Sequence, residues 1–327
     1  MGTTQSGDPT VERGCTVEYW RNTLPSVPSR LLPAVIKAMR RNRNYLDPAT
    51  ARAHLKEVSL RPRTYGPPAR LRRDVTVTLD RSGQWPIYTI VPAAGEPHGN
   101  TVYVHGGGWV NEIVSQHWHL ASQIAAEAQT TVTVPIYPLV PFGTAGEVVP
   151  AIAELVRANH DLYGTVRMAG DSAGGQIALS AAIALRDEHA LLLPRTVLIS
   201  GALDLSLSNP EIDLVQPTDP WLAREGTRVF IDHWRRDLAL DHPWVSPLAA
   251  DLHGLGPLTV FIGTRDIIYP DTGLLVEKAM AAGVDVDYHE GDGLLHVYPL
   301  TPTPEGRAAR GVIVDRLRAP RSVRPGQ

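Results

Sequence analysis

Residues 165–175 read Thr-Val-Arg-Met-Ala-Gly-Asp-Ser-Ala-Gly-Gly and place Ser172 inside a Gly-x-Ser-x-Gly frame. The residues before this serine favour a strand, and residues 176–186 after it favour a helix. A serine on the sharp turn between a strand and a helix stands above the edge of a sheet, and its flanking residues must be small. The stretch therefore predicts an exposed nucleophile at Ser172, with the helix N-terminus beneath it favouring negative charge.

A second stretch carries a run of glycines at the end of a predicted strand. Residues 101–109 read Thr-Val-Tyr-Val-His-Gly-Gly-Gly-Trp. Glycines at a strand end leave backbone N–H groups uncrowded, and such donors can hold an oxyanion. We expect these donors to be the N–H groups of Gly107, Gly108 and Ala173. A flexible loop and a phosphate-binding loop are the alternatives, but no Lys, Ser or Thr follows the glycines as a nucleotide-binding loop requires. His105 is expected to brace this loop.

A nucleophilic serine needs a histidine base and a carboxylate that orients the base. Asp266 follows the strand candidate 258–263, and His296 lies in the loop after the strand-like run 284–289. Successive strand exits would bring both side chains to the same sheet edge as the serine. Asp271 is the rival acid, but it is predicted to be the N-cap of the helix that follows it.

Other ionisable residues have plainer interpretations. Asp171 is expected to accept hydrogen bonds rather than to act as an acid. His289 is expected at a half-exposed strand position, and His117 and His119 are expected on the exposed face of a helix after the glycine loop.

The motifs His105–Trp109 and Gly170–Gly175, about 65 residues apart, resemble the hormone-sensitive-lipase-like esterases, the bacterial type IV group of the α/β-hydrolase superfamily. The resemblance covers roughly residues 75–318. It departs from the family pattern after the acid, where Ile-Ile-Tyr-Pro stands in place of the usual Pro-Leu pair. The resemblance implies a triad and an oxyanion hole carried by Ser172, Asp266 and His296 and by Gly107, Gly108 and Ala173, respectively.

The pattern of strands and helices predicts an α/β class chain. The α/β-hydrolase fold is expected, with a mostly parallel central sheet of about eight strands flanked by helices and a helical cap. The first two strands are close enough in sequence to form an antiparallel hairpin at one edge. The predicted strands are 75–79, 86–91, 101–105, 131–136, 165–169, 196–200, 258–263 and 284–289.

The domain organisation is expected to consist of a core and a two-part cap. Residues 71–204 and 251–327 would form the α/β-hydrolase core, with residues 1–70 as an N-terminal cap segment and residues 205–250 as a cap insertion. Insertions at the carboxyl edge of such a sheet lie over the active site. The substrate pocket is therefore expected to involve Trp109, Asn111 and Trp221.

Composition excludes several functional classes. The 327 residues are 43% apolar with a net charge of −3, so nucleic-acid binding is not expected. The single cysteine, Cys15, excludes an internal disulfide, and neither a secretion signal nor a membrane span is recognisable, which favours a cytoplasmic protein. No His/Cys cluster suggests a metal, and no cofactor is expected. A homodimer is compatible with the sequence.

Charge is unevenly distributed along the chain. Residues 37–73 hold eleven Lys and Arg against two acidic residues, and residues 31–39 place apolar side chains on one helical face. Such a helix can rest on an anionic membrane, but a cap helix with a solvated face is the favoured interpretation.

These observations predict a serine hydrolase acting on short- to medium-chain carboxylic esters through an acyl-enzyme. An amidase or formamidase and an acyltransferase use the same triad and stay open as alternatives. A non-catalytic small-molecule-binding protein on this fold is disfavoured, because the histidine is present at position 296.

Overall fold

The computed structural model describes residues 16–19, 25–39 and 42–318, and Cys15 lies outside these ranges. Within them, nine strands form one sheet. The strands are β1 Thr16–Tyr19, β2 Val75–Asp80, β3 Ile87–Pro92, β4 Asn100–Val104, β5 Thr131–Pro135, β6 Val166–Asp171, β7 Thr196–Ile199, β8 Leu258–Gly263 and β9 Val286–Gly291.

The strand order is β1-β9-β8-β7-β6-β4-β5-β3-β2. All neighbours from β1 across to β5 are parallel, whereas β3 pairs antiparallel with both β5 and β2. The predicted mostly parallel sheet and its edge hairpin are thus confirmed. Because the ladder of β4 and β6 sets Val104 opposite Gly170, the glycine loop and the nucleophile turn leave the sheet side by side.

Helices cover both faces of the sheet. The described helices are α1 Val27–Ala38, α2 Arg43–Leu46, α3 Pro48–Leu60, α4 Ser115–Ala128, α5 Ala145–Tyr163, α6 Ala173–His189, α7 Ile212–Val215, α8 Arg224–Arg235, α9 Tyr269–Ala281 and α10 Pro304–Leu317. One apolar core joins the sheet to α5, α6 and α9, and the other joins it to α4 and α10. Alternate residues of β4 supply the two cores, Val102 one and Tyr103 the other, as strands covered on both faces require.

One strand lies where no sheet strand is expected. Residues 16–19 fall in the predicted N-terminal cap segment, yet they form β1 and extend the sheet beside β9. The expectation that residues 1–70 lie wholly outside the sheet is therefore wrong. Four residues are too few to show the alternation by which longer strands are recognised.

Two helices of the N-terminal segment, α2 and α3, pack on the 205–250 insertion, whereas Ser26 and Ser29 at the start of α1 bond to Glu305 of the core. Helices α2 and α3 contact α8, and the approach is so close that a Cβ on Gly226 would collide with the backbone of Tyr45. The division into core and cap stays a prediction, but these contacts make the two cap segments neighbours.

Helix α1 presents apolar side chains to solvent. Val27, Leu31 and Val35 are exposed, while Ile36 is buried against the body. Neither the favoured interpretation, a cap helix with a solvated face, nor the alternative of contact with a membrane surface is decided by this exposure. Among the described residues, no helix combines the length and the apolar character that crossing a membrane requires.

Candidate active site

Ser172 sits on a strained turn between β6 and α6. Its backbone has φ 52° and ψ −119°, a conformation that costs free energy for a residue with a side chain. The turn is held by the Ser172 N–H, which donates to Ile199 O at 2.9 Å, and by Ser172 O, which accepts from Gln176 N at 3.1 Å and Ala202 N at 3.2 Å. Sheet and helix together keep the hydroxyl in this position.

The glycines of the frame are explained by backbone crowding. A Cβ on Gly174 would collide with the carbonyl oxygen of Val104, and one on Gly170 would collide with that of Gly174. The first turn of α6 therefore lies directly against the end of β4. Only residues without a side chain permit this approach, which brings Ser172 close to the glycine loop.

His296 bridges the serine and a buried carboxylate. Its Nε2 is 2.9 Å from Ser172 Oγ, and its Nδ1 is 2.7 Å from Asp266 Oδ2. Asp266 is fully buried and His296 is 3% exposed. Asp266 Oδ1 also accepts from Ile268 N at 3.2 Å, and the two loops are joined by Arg265 N, which donates to Leu294 O at 3.0 Å. The three predicted residues thus form one continuous hydrogen-bonded chain.

Burial and charge act in opposite directions on the imidazole of His296. Burial lowers its pKa, but the charge and hydrogen bond of Asp266 outweigh that effect, so the pKa is raised above its ordinary value. The carboxylate therefore favours the protonated imidazole, which is the form a base reaches after it accepts a proton.

Asp271, the rival acid, takes no part in this chain. It lies in the first turn of α9, whose N-cap is Ile268, so the expectation that Asp271 is the N-cap is wrong. Pro270 explains the earlier start, since proline is well accommodated in the first helical turn. The carboxylate of Asp271 accepts from Asn209 Nδ2 at 2.8 Å, and burial raises its pKa to about 6.

Two histidines are more buried than expected. His289 is 1% exposed, stacks on Phe261 with ring centroids 4.6 Å apart, and pairs with Asp287 at 3.0 Å. The half-exposed assignment fails because both faces of β9 are covered, so that every residue of this strand is buried. His117 is also buried, while His119 is exposed as expected.

Asp171 anchors a buried network beneath the glycine loop. Its Oδ1 accepts from Tyr103 Oη at 2.6 Å and from Gly106 N at 3.0 Å, and its Oδ2 lies 3.2 Å from His117 Nε2. Burial raises the pKa of Asp171, but His117 and these hydrogen bonds bring it below the ordinary value. Asp171 is thus an acceptor that ties the glycine loop to the nucleophile turn.

His105 lies in the same network and is not aligned with the serine. Its Nδ1 is 2.7 Å from Gly106 O, and its ring stacks on Tyr137 at 4.6 Å. Burial, reinforced by His117, lowers the pKa of His105 to about 4. A neutral imidazole held in this way braces the loop.

Gly107 and Gly108 adopt backbone conformations with positive φ, which glycine reaches more readily than other residues. Gly107 has φ +131° and Gly108 has φ +63°. Gly107 O accepts from Asn111 N at 3.0 Å and from Asn111 Nδ2 at 2.9 Å, which fixes the loop from behind. Within the described ranges the N–H groups of Gly107 and Gly108 have no hydrogen-bond acceptor, and that of Ala173 is the first of α6, where helices leave donors unpaired.

The three predicted pocket residues lie in different surroundings. Trp109 is 2% exposed, stacks on Trp234 at 5.9 Å, and donates to Gln176 Oε1 at 3.0 Å. These contacts hold the cap helix α8, and none of them is with Ser172. Trp221 is half-buried and packs edge-on against His296 at 6.0 Å.

Asn111 supports the loop and receives help from the N-terminal segment. Its Nδ2 donates to Tyr45 Oη at 3.2 Å, and its Oδ1 is 2.8 Å from His54 Nε2. No sequence pattern predicts that residues of α2 and α3 reach the glycine loop, because pairing between distant segments has no local pattern.

Asp219 is a further acidic residue at the site that sequence reasoning missed. It lies in the 205–250 insertion, is 8% exposed, and accepts from Ile267 N at 3.0 Å, next to the predicted acid. Its neighbours Thr218 and Pro220 suggest only a turn. Across the described residues, no group of three or more His, Cys, Asp or Glu side chains is placed to hold a metal ion.

Comparisons with known proteins agree with the fold described above. A family model described as alpha/beta hydrolase fold matches residues 101–300. A triacylglycerol lipase of Mycobacterium tuberculosis is 34% identical over 224 residues, which are 67% of this chain but only 46% of that protein. An acetyl-hydrolase of Streptomyces hygroscopicus is 30% identical over 215 residues, covering 64% of this chain and 71% of that protein.

Comparison with solved structures also finds proteins of this fold. A crystal structure of an esterase from the bacterial hormone-sensitive lipase family superposes with a TM-score of 0.72 at 26% identity, covering 90% of this chain and 99% of that one. A putative esterase from Staphylococcus aureus reaches a TM-score of 0.78 at 22% identity, covering 83% and 93% of the two chains. The chain therefore belongs to the α/β-hydrolase fold family, among its hormone-sensitive-lipase-like esterases and lipases.

Proposed function

We propose that this protein is a serine hydrolase that cleaves short- to medium-chain carboxylic esters with Ser172, His296 and Asp266 as its catalytic triad. The observation that carries the proposal is the continuous chain of hydrogen bonds, 2.9 Å and 2.7 Å long, from the strained serine through a buried imidazole to a buried carboxylate. A nucleophile and its base within this reach, with the base oriented by a third group, are what acyl transfer requires.

The first half of the reaction forms an acyl-enzyme. Neutral His296 takes the proton of Ser172 through Nε2 while Oγ attacks the ester carbonyl, and Asp266 stabilises the imidazolium that results. When the tetrahedral intermediate collapses, the carbon–oxygen bond to the alcohol breaks and the alcohol leaves with the proton from His296. Water then repeats these steps on the acyl group, which releases the acid and restores the serine.

The oxyanion of each intermediate would be held by the N–H groups of Gly107, Gly108 and Ala173. The first two have no acceptor in the described part of the chain, and the third lies at the positive end of the α6 dipole. Such donors contribute strongly because they are already oriented and need no rearrangement during the reaction. The Gly106 N–H is bonded to Asp171, so it serves the loop and not the oxyanion.

Trp221 is the best-supported pocket residue of the three predicted. The alcohol departs beside the imidazole that protonates it, and the edge of Trp221 lies against that imidazole. We therefore place Trp221 on the alcohol side of the substrate. A small-molecule ester is the partner that this site requires.

The test is hydrolysis of p-nitrophenyl acetate and butyrate by the wild type and by Ser172→Ala. The wild type should turn over both esters, while Ser172→Ala should lose about 10⁴-fold or more of kcat. A phosphonate label mapped by mass spectrometry should modify Ser172 alone, and the exposed Ser208→Ala variant is the matched control. Undiminished turnover by Ser172→Ala would refute the proposal, and faster cleavage of N-formyl amides than of esters would favour the amidase alternative.

A further inference from the structure

The loop that carries Asp266 is gripped by the cap insertion on both sides of that residue. Before it, the guanidinium of Arg265 donates through Nε at 3.2 Å and Nη2 at 2.9 Å to Thr218 O. After it, the Ile267 N–H donates to Asp219 Oδ2 at 3.0 Å. Two adjacent residues of the insertion therefore hold the two residues that flank the buried acid.

The second oxygen of Asp219 shapes the turn that carries Trp221. Asp219 Oδ1 accepts from Trp221 N at 2.7 Å and from Leu222 N at 3.0 Å, so one oxygen caps the turn. Trp221 then packs its edge against the ring of His296, with centroids 6.0 Å apart at 85°. One carboxylate thus fixes the acid loop through one oxygen and the neighbour of the base through the other.

We propose that Asp219 is a positioning residue that couples the cap to the catalytic pair, holding the Asp266 loop and Trp221 as one unit around His296. The inference rests on the proposed function, because its effect is exerted through the triad. Asp219 touches no reacting atom. It acts by restricting where the carboxylate and the imidazole can move.

The charges around Asp219 are consistent with this role. The ionisable groups that act on it are Asp266 and His296, while the Arg265 guanidinium is bonded to the carbonyl oxygen of the neighbouring Thr218. Burial, and then the charge of Asp266, raise the pKa of Asp219 to about 6. A buried carboxylate that accepts three backbone hydrogen bonds is costly to remove, since its donors would be left without a partner.

Two substitutions of Asp219 distinguish its contact with the Asp266 loop from its contacts with the Trp221 turn. Asp219→Asn is nearly isosteric and retains an oxygen for Trp221 N and Leu222 N, but its amide nitrogen cannot accept from Ile267 N. Asp219→Ala removes all three acceptors. Asp237→Asn makes the same chemical change in the same insertion at a side chain that is 98% exposed, so it is the matched control.

The experiment measures kcat and KM for p-nitrophenyl acetate per active site, with sites counted by phosphonate labelling, across pH 5 to about 9. We expect kcat per site to fall about tenfold in Asp219→Asn and about 100-fold in Asp219→Ala, with KM within about threefold, because small displacements of catalytic groups cost this much. The midpoint of kcat/KM against pH should move down by about half a unit in Asp219→Asn, since a negative charge near the imidazole is lost. Asp237→Asn should match the wild type in all three quantities.

Two outcomes would overturn the proposal. One is that kcat per site and the pH midpoint of both variants equal those of the wild type. The other is that only the number of labelled sites falls, which would mean that Asp219 serves folding alone. Failure of the proposed function is distinguishable, because it would appear as undiminished turnover in Ser172→Ala, whatever the Asp219 variants do.

Discussion

Replacing Asp171 by alanine should damage stability and catalysis together, because this carboxylate joins two halves of the site. It accepts from Tyr103 Oη at 2.6 Å and Gly106 N at 3.0 Å and pairs with His117 Nε2 at 3.2 Å, all in a buried setting. Alanine leaves these polar groups without their partner and opens a cavity where the carboxylate was.

The magnitude follows from the groups left unpaired. A buried donor that loses its acceptor costs about 1–3 kcal/mol, and removing one member of a buried charged network costs about 3–5 kcal/mol in total, because the losses are not additive. We expect Asp171→Ala to lower the free energy of unfolding by about 3–5 kcal/mol. Tyr103→Phe removes only one donor, so it should cost about 1–3 kcal/mol.

Activity should fall for a separate reason. The Gly106 N–H no longer has its anchor in Asp171→Ala, so Gly107 and Gly108 lose the register that aims their N–H groups. Loss of one oxyanion donor costs about 10²- to 10³-fold in kcat, and we expect a decrease of about 10²-fold with little change in KM.

The pH dependence of stability has a definite sign for Asp171. Because its pKa is lowered in the folded protein, the ionised carboxylate stabilises the fold above the unfolded-state pKa of about 3.9, and this contribution is lost as the pH falls through the folded-state pKa. The difference in stability between the wild type and Asp171→Ala should therefore be constant near neutrality and shrink only in strong acid.

Urea unfolding followed by circular dichroism measures the change in the free energy of unfolding, and ester kinetics per labelled site measure the change in kcat. The exposed Asp251→Ala variant should leave the urea midpoint and kcat unchanged. If Asp171→Ala unfolds within about 0.5 kcal/mol of the wild type, the size of an ordinary surface effect, the network does not stabilise the fold. A kcat per site within twofold of the wild type would show that the Gly106 anchor does not position the loop.

Two further outcomes are expected. The raised pKa of His296 should place the acidic midpoint of kcat/KM above about 6.5, the value for a free imidazole, and a midpoint below that would contradict the charge assignment. Gly174→Ala should abolish folding or activity, because its Cβ would collide with the carbonyl oxygens of Val104 and His105, whereas Gly273→Ala in α9 meets no atom within 4 Å and should stabilise by about 0.5–1 kcal/mol. Soluble yield and urea midpoints compare these two variants, and a normally stable, active Gly174→Ala would refute the crowding argument.

Local patterns were sufficient to predict the sheet except β1, and to single out Ser172, Asp266 and His296, of which His296 lies within hydrogen-bonding distance of the other two. Ser172 lies in a Gly-x-Ser-x-Gly frame between a strand and a helix, Asp266 follows β8, which is apolar apart from Thr259, and His296 lies in the loop after β9. The parallel arrangement then forces all three to one sheet edge. None of this requires knowing how distant segments pair.

Three of the features that sequence reasoning missed, unlike the N-cap of α9, depend on such distant pairing. His289 is buried because both faces of β9 are covered, with its ring stacked on Phe261 of the neighbouring strand β8. The place of Asp219 depends on the insertion folding back onto the acid loop, and an Asp before Pro suggests only a turn in the sequence. The sequence likewise suggests that Trp109 lines the pocket, but the cap helix α8 lies over it and Trp234 stacks on its ring.

One half of the site is held by the register of neighbouring strands, and the other half is held by contacts between distant segments. The glycine loop and Ser172 are set side by side by the register of β4 and β6, with Val104 opposite Gly170, so their geometry is as rigid as the sheet. Asp266 and His296 lie in the loops that follow β8 and β9, and the cap grips the first of these loops through Asp219. Loss of the Asp219 contacts should therefore alter the base and its pH dependence before it alters the oxyanion donors. A disturbance of the sheet beneath Asp171 should alter the oxyanion donors before it alters the base.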